Sequence, residues 1–520
     1  MSRTIQTGAD RAGLTTPATT VAPKAGTREW IALAVLLLPV LLVAVDATVL
    51  SFALPSISAA LRPTGTQLLW MIDIYPLVLA GLLVSMGSLA DRVGRRRMLL
   101  IGSVGFAVVS VIAAYAPSAE ALIASRAALG FFGAMLMPST LSLLRNVFVD
   151  RQQRRLAIAI WAAGFSGGAA LGPIVGGFLL EHYWWGSAFL MAVPVLVLLL
   201  ILAPIFLPES KDPTPGPIDV LSIGLSMVTM VPVVYAIKSI AHDGATSLSL
   251  LLLLIGFAAG TAFVRRQLNR PQPMLDVRLF SRSSFSGAVL ANLLSVFSLV
   301  GFLFFVSQHL QLVLGESPMQ AGLILLPGLV VTVVAGLAVV PLVRRITPRT
   351  VVAGGLLISA AGYIAVLLGA HEASAGALVL AFVLLSLGIG AAETISNDVI
   401  ISSVPADKAG AASAISETAY EMGAVLGTAV LGGILTAAYS ARVVVPAGLS
   451  AADTATATET LGGATAVAAH LPQPQAGQLL ASAQQAFGGG VSVTSVIAVV
   501  LMVVAAALVW FTLRGKGAES

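Results

Sequence analysis

Fourteen apolar runs, each close to the roughly 20 residues that an α-helix needs to cross a bilayer core about 30 Å thick, govern what this chain can fold into. A backbone in lipid finds no water, so runs of this length satisfy their amide groups only as helices. The runs fall at 31–52, 66–90, 98–116, 120–143, 156–180, 186–207, 218–238, 247–264, 285–313, 318–341, 350–370, 374–400, 409–437 and 490–513. The ninth is long enough to include a turn outside the membrane. Charged side chains make up only 10% of the chain, against about 25% in soluble domains. The predicted fold class is all-α integral membrane, with 14 transmembrane helices.

The formal charge of +5 would suggest nucleic acid in a soluble protein, but here the basic residues sit in short tracts between the apolar runs, where they set orientation. With 14 spans and the termini inside, all of the 28 Lys and Arg except Arg62, Arg126, Lys238 and Arg442 fall on the inner side. Arg126 lies within the fourth span, and the other three are expected in outer loops. Both termini are therefore predicted cytoplasmic. The absence of cysteine excludes disulfides, thiolate metal sites and cysteine nucleophiles, and five scattered histidines offer little to a metal. No phosphate-binding loop is present. We expect no cofactor beyond protons as a coupling ion, no bound metal and no enzymatic activity.

Five regions follow. Residues 1–28 are a polar tail expected to be disordered, 29–207 hold the first six spans, and 208–284 are a linker containing two inserted helices. Residues 285–513 hold the last six spans, including a long outer loop at 438–489 expected to form a hairpin or short helices, and 514–520 are a second tail. Within the linker, 208–217 is a Pro-rich break and 265–284 resembles an interfacial cytoplasmic segment. An internal repeat supports six plus six helices: LADRVGRRRMLLIG at 89–102 aligns with LVRRITPRTVVAGG at 342–355, and LGPIVGG at 171–177 aligns with LGTAVLG at 426–432.

GSLADRVGRRR, from Gly87 to Arg97, resembles the signature loop of the major facilitator superfamily. ALGPIVGG at 170–177, VDATVLSFALP at 45–55, and Arg126 with Gly130 and Gly133 resemble motifs of the superfamily's 14-helix drug:proton antiporters. With HYWWGSAFLMAVP at 182–194 and SETAYEMG at 416–423, the pattern is similar to bacterial pumps exporting quaternary ammonium compounds, dyes and fluoroquinolones. The resemblance implies two six-helix bundles plus two inserted helices. It also implies proton-coupled export of lipophilic, mainly cationic compounds by alternating access, from a functional monomer in a bacterial-type cytoplasmic membrane. A dedicated exporter of one antibiotic or metabolite, or a non-transporting receptor or scaffold, would share much of the pattern. The tenth span lacks a carboxylate that relatives often carry, and Leu129 stands where Gln is common.

The same residues carry a physical reading. Gly164, Gly168, Gly172 and Gly176 recur on one helical face with Pro173 beside them and Gly177 following, which suits close packing at a moving interface and equally a static bundle. Around Gly87 and Gly94, Asp91 with Arg92, Arg95 and Arg96 is expected to cap helix ends and pair across the halves when the inner side closes. Topology alone accounts for the arginines but not for Asp91, Gly87 or Gly94.

Six acids fall within spans: Asp46, Asp73, Glu393, Asp398, Glu417 and Glu421. Each costs roughly 2.5–3.5 kcal/mol at a helix centre and so requires a partner, a wet cavity or a proton. Asp46 and Arg126 lie at similar depth and are expected to interact. Glu417 and Glu421 share a face with Tyr420, where mutual repulsion favours a proton on one of them until a lipophilic cation displaces it. Proton coupling is therefore assigned to Asp46, Arg126, Glu417 and Glu421. Substrate contact is assigned to Asp73, Glu393, Asn397, Asp398, Tyr420, Glu421, Tyr75, Trp161 and Phe165, the aromatic rings offering cation–π contact. Asp73 and Asp398, near span ends, suit interfacial positions as well.

Overall fold

The computed structural model describes residues 24–211, 219–271, 273–343, 345–369, 375–404 and 409–513. The expected tails at 1–23 and 514–520, and most of the Pro-rich break, lie outside the described residues. Among those described, 14 helical spans are long and apolar enough to cross a membrane. Spans 1 to 5 are α1 (Thr27–Leu61), α2 (Gly65–Val93), α3 (Arg95–Ala114), α4 (Ala119–Val147) and α5 (Arg151–His182). Span 6 is broken into α6 (Ser187–Leu190) and α7 (Ala192–Phe206), and spans 7 and 8 are α8 (Val220–Asp243) and α9 (Ser247–Asn269). Span 9 is α10 (Ser283–Gln308), extended by a π turn at His309–Val313. Spans 10 to 12 are α11 (Pro318–Leu342), α12 (Pro348–Gly369) and α13 (Ala375–Ser402). Span 13 joins α14 (Ala409–Gly427) through a π turn at Thr428–Gly432 to α15 (Gly433–Ser440). Two short helices, α16 (Ala451–Glu459) and α17 (Leu461–Ala468), precede span 14, α18 (Gln473–Thr512).

Side-chain caps mark several starts. Thr64 accepts from the Gln67 amide and Ser317 from the Gln320 amide, each in a reciprocal capping box, and Pro318 follows at the first helical position of α11. Between α2 and α3 the chain turns on Gly94 at φ +122°, a backbone conformation that L side chains rarely adopt.

Three expectations about the spans are corrected. Span 7 runs to Asp243 rather than ending at 238, so Lys238 lies inside the helix and is 1% exposed. Span 9 continues as one helical segment through a π turn at His309–Val313, where a turn outside the membrane was expected. The outer loop expected at 438–489 is shorter, because α18 begins at Gln473; residues 473–489 are only weakly apolar but stay helical beyond the hydrophobic stretch. The expectation of short helices in that loop matches α16 and α17.

Packing repeats with the offset seen in the sequence. Span 5 lies on span 1, where a methyl group added at Gly168 would sit 3.0 Å from the Leu41 carbonyl and one at Gly172 3.1 Å from that of Val45. Span 13 lies on span 9 in the same way: Gly423 faces the Leu293 carbonyl and Gly427 that of Phe297. The glycine pairs differ by 255 residues (423 − 168, 427 − 172), and their carbonyl partners by 252 (293 − 41, 297 − 45). Two six-helix bundles result, with spans 7 and 8 packed on each other and span 7 resting on span 2.

The bundles meet along two equivalent seams, span 5 against span 10 and span 2 against span 13. At the first, methyl groups added at Gly177 and Gly322 would sit 2.7 Å from the Met319 Cα and 2.5 Å from the Pro173 carbonyl oxygen. The repeating glycine face is thus buried within one bundle, against span 1. The contact between bundles falls to Pro173 and Gly177 beside it.

Candidate functional site

Toward the face away from the arginine-rich loops, the bundles are closed upon each other. Ser307 donates to the Ser51 carbonyl at 2.8 Å, Gln311 to that of Phe52 at 3.1 Å, and the Gly65 amide to the Glu459 carboxylate at 2.8 Å. Toward the basic face the seam widens into a cavity of about 430 Å³. Its wall includes Asp91, Arg95, Arg145, Trp161 and Glu417, together with Met274 from the linker after span 8.

Asp46 and Arg126 meet at 2.8 Å, both almost wholly buried, and Arg126 also donates through Nε to the Met71 carbonyl at 3.1 Å. The guanidinium lies 4.6 Å from the centre of the Tyr75 ring. Tyr75 is therefore packed under the ion pair and does not line the cavity, a correction to its expected substrate role. Its buried hydroxyl has no hydrogen-bond partner among the described residues.

On span 13, Glu417 reaches the cavity wall, while Glu421, a turn deeper, is 8% exposed. Glu393 lies on span 12, which packs against span 13. Tyr420 meets Phe165 of the opposite bundle edge to face, with ring centroids 5.8 Å apart. Trp161 donates to the Thr140 hydroxyl at 3.2 Å, which fixes its ring at the cavity wall.

Other expected substrate residues are placed elsewhere. Asp73 is fully buried in a 2.8 Å ion pair with Lys238, whose ammonium also lies 3.9 Å from the centre of the Trp70 ring. Asn397 accepts from the Ser416 hydroxyl at 2.8 Å, and Asn292 donates to that same hydroxyl at 3.0 Å, which ties spans 9, 12 and 13 together. Asp398 is exposed near the basic end of span 12, turned away from Glu393. All three are corrections to the expected binding set: none lines the cavity, Asp73 being held in its ion pair, Asn397 bonded to Ser416, and Asp398, like Asn397, exposed.

Arg95, Arg96 and Arg97 of the signature loop make contacts within their own bundle. Arg95 pairs with Asp91 at 2.8 Å and donates to the Ser210 hydroxyl at 3.0 Å; the Arg96 amide donates to Glu209 at 3.1 Å, and Arg97 approaches the same carboxylate at 3.8 Å. Gly87 faces Pro138 of span 4, and a side chain at Gly94 would strike Glu209. Arg92 is exposed at the end of α2. With the basic side open, the loop grips the end of span 6. The sequence reading missed Glu209 and Lys238. A lysine a turn before the His-Asp end of an apolar run was the available sign for Lys238, since such a position is as easily inside the helix as beyond it.

A sequence profile of the Major Facilitator Superfamily matches residues 36–428. The chain belongs to that superfamily. It is 57% identical over 499 residues to the multidrug efflux pump LfrA of Mycolicibacterium smegmatis, covering 96% of this chain and 98% of that one. To the methyl viologen resistance protein SmvA of Salmonella typhimurium it is 37% identical over 488 residues, covering 94% and 98%. A solved structure of a bacterial homologue of the human lysosomal transporter Spinster, inward-facing and unoccupied, shares the fold with a TM-score of 0.68 at 18% identity, covering 94% of this chain and 98% of that one. This major facilitator protein is thus a multi-pass membrane transporter of small molecules, and its relatives are transporters and efflux pumps rather than enzymes.

Proposed function

We propose that the protein is a proton-coupled multidrug efflux antiporter for lipophilic, mainly cationic compounds, quaternary ammonium compounds and dyes among them. In this reading it works as a monomer in a bacterial cytoplasmic membrane with both termini inside. The observation that carries the reading is the seam between the bundles: one bundle buries the Asp46–Arg126 pair, and the other places Glu417 on the cavity wall with Glu421 a turn deeper. A lipophilic cation arriving from the basic side meets Glu417 on the cavity wall, and its charge favours release of a proton from a carboxyl group there. Asp46 has a counter-charge in Arg126 at 2.8 Å within the same bundle. The names of relatives support the substrate class: one is a multidrug efflux pump and another confers resistance to methyl viologen.

An inward proton carries about 2.3 kcal/mol per 100 mV and roughly 1.4 kcal/mol per pH unit. One proton exchanged for one monovalent cation cancels the electrical part, leaving the pH gradient to drive export. The test is uphill extrusion of ethidium from cells, or its uphill accumulation in inverted vesicles: wild type maintains a gradient, and Asp46→Asn loses it while still being inserted in the membrane. Uphill extrusion by Asp46→Asn would overturn the coupling role.

A further inference from the structure

The linker between spans 8 and 9 was expected to lie along the membrane surface, yet part of it turns into the seam. Met274 and Leu275 form part of the cavity wall, facing Leu83, Val84, Trp161 and Glu417 from spans 2, 5 and 13. The Ser85 hydroxyl of span 2 approaches the Met274 sulfur at 3.4 Å. The elbow is held from behind by the inserted helices. Gln267, 1% exposed at the end of α9, accepts from the Leu275 amide at 3.3 Å and donates to the Ser222 hydroxyl of α8 at 2.7 Å. Ser222 in turn donates to Asp219, which Arg266 engages through two nitrogens at 2.8 and 3.1 Å. On the far side of the elbow, Arg278 donates to the Leu268 carbonyl at 2.8 Å, and Leu279 is buried against the start of span 9.

We propose that Met274, with Leu275, is a specificity-determining part of the substrate path, and that spans 7 and 8 act as the bracket that sets it there. This rests on the transport reading above. Met is unbranched, polarisable and able to refit, which suits a wall that admits apolar bodies of different shape while a carboxylate receives their charge. The two faces of the cavity divide the work: Met274, Leu275, Leu83 and Trp161 receive the apolar body, and Glu417 the cationic centre. Gln267 is a positioning residue, acting only through the elbow it holds.

Because the chain contains no cysteine, Met274→Cys introduces its only thiol. In inverted vesicles a membrane-impermeant maleimide is expected to label it, and tetraphenylphosphonium at four times its half-saturating concentration to slow labelling about fivefold. Ser402→Cys, exposed at the end of span 12 and outside the cavity wall, is expected to label at a rate the compound does not change. Leu275→Cys repeats the test should Met274→Cys fold poorly. Adding Gln267→Leu to Met274→Cys is expected to weaken protection and raise the half-saturating concentration for transport severalfold, with turnover retained. Unchanged labelling of both elbow cysteines, in vesicles that still transport tetraphenylphosphonium, overturns the proposal. Flux by wild type in the same vesicles reports on the transport reading separately.

Discussion

Replacing Lys238 with Met leaves Asp73 buried without its counter-charge. Both side chains are wholly buried and 2.8 Å apart, with Trp70 beneath the ammonium at 3.9 Å. Their attraction is about 6 kcal/mol at an effective dielectric constant near 20, most of it offset by the cost of removing two ions from water. Loss of one partner exposes that cost without the attraction, about 3–5 kcal/mol for a buried pair. Protonation of an ordinary aspartate limits the loss to about 4 kcal/mol at pH 7. At roughly 2 °C per kcal/mol for a body of this size, the thermal midpoint of purified Lys238→Met should fall by about 6–8 °C. The double variant Asp73→Leu/Lys238→Met removes both charges and should recover most of that fall. A double variant as unstable as the single one, or a single variant within about 1 °C of wild type, would refute the reasoning, since either result means the partner's uncompensated charge is not what costs stability.

Gly172→Leu places a side chain against Thr48 and the Val45 carbonyl of span 1, and should cost about 1–3 kcal/mol in thermal stability, whereas Gly167→Leu, with nothing within 4 Å, should be tolerated; equal midpoints would contradict the assigned packing. Hydrogen bonding from Arg266 holds the Asp219 carboxyl well below the usual carboxylate range, despite the opposing cost of burial. A depressed value stabilises the fold above the ordinary carboxyl range and loses that stabilisation as pH falls. Hydrogen exchange at residues 220–223 should therefore quicken below about pH 4, and Asp219→Asn should abolish that dependence.

The 14 spans were legible because lipid imposes a length and a composition that few other structures share, and the repeat because close packing preserves glycines where two backbones meet. Asp46 and Arg126 were matched by depth alone, an inference that works when each helix is nearly perpendicular to the membrane. The same arithmetic failed for Lys238: a cation near a helix end satisfies the charge rule equally well outside the membrane or paired within the protein, and only the neighbouring span distinguishes the two. Met274 was illegible for a different reason. Its segment is polar and Pro-containing, so hydropathy assigns it to the surface, whereas its course into the seam is dictated by Gln267 and Ser222 on two other helices. Acids on one helix could be grouped by spacing, but Asn397 and Asp398 could not be sorted from Glu393 without the Ser416 hydroxyl that claims Asn397.

The most direct test of the account is proton release from proteoliposomes containing purified protein, followed with a pH-sensitive dye as ethidium or a quaternary ammonium compound is added. The account predicts proton movement opposite to the cation in wild type, and its loss in both Asp46→Asn and Glu421→Gln. Cation movement with no accompanying proton flux, or unchanged flux in both variants, would contradict it.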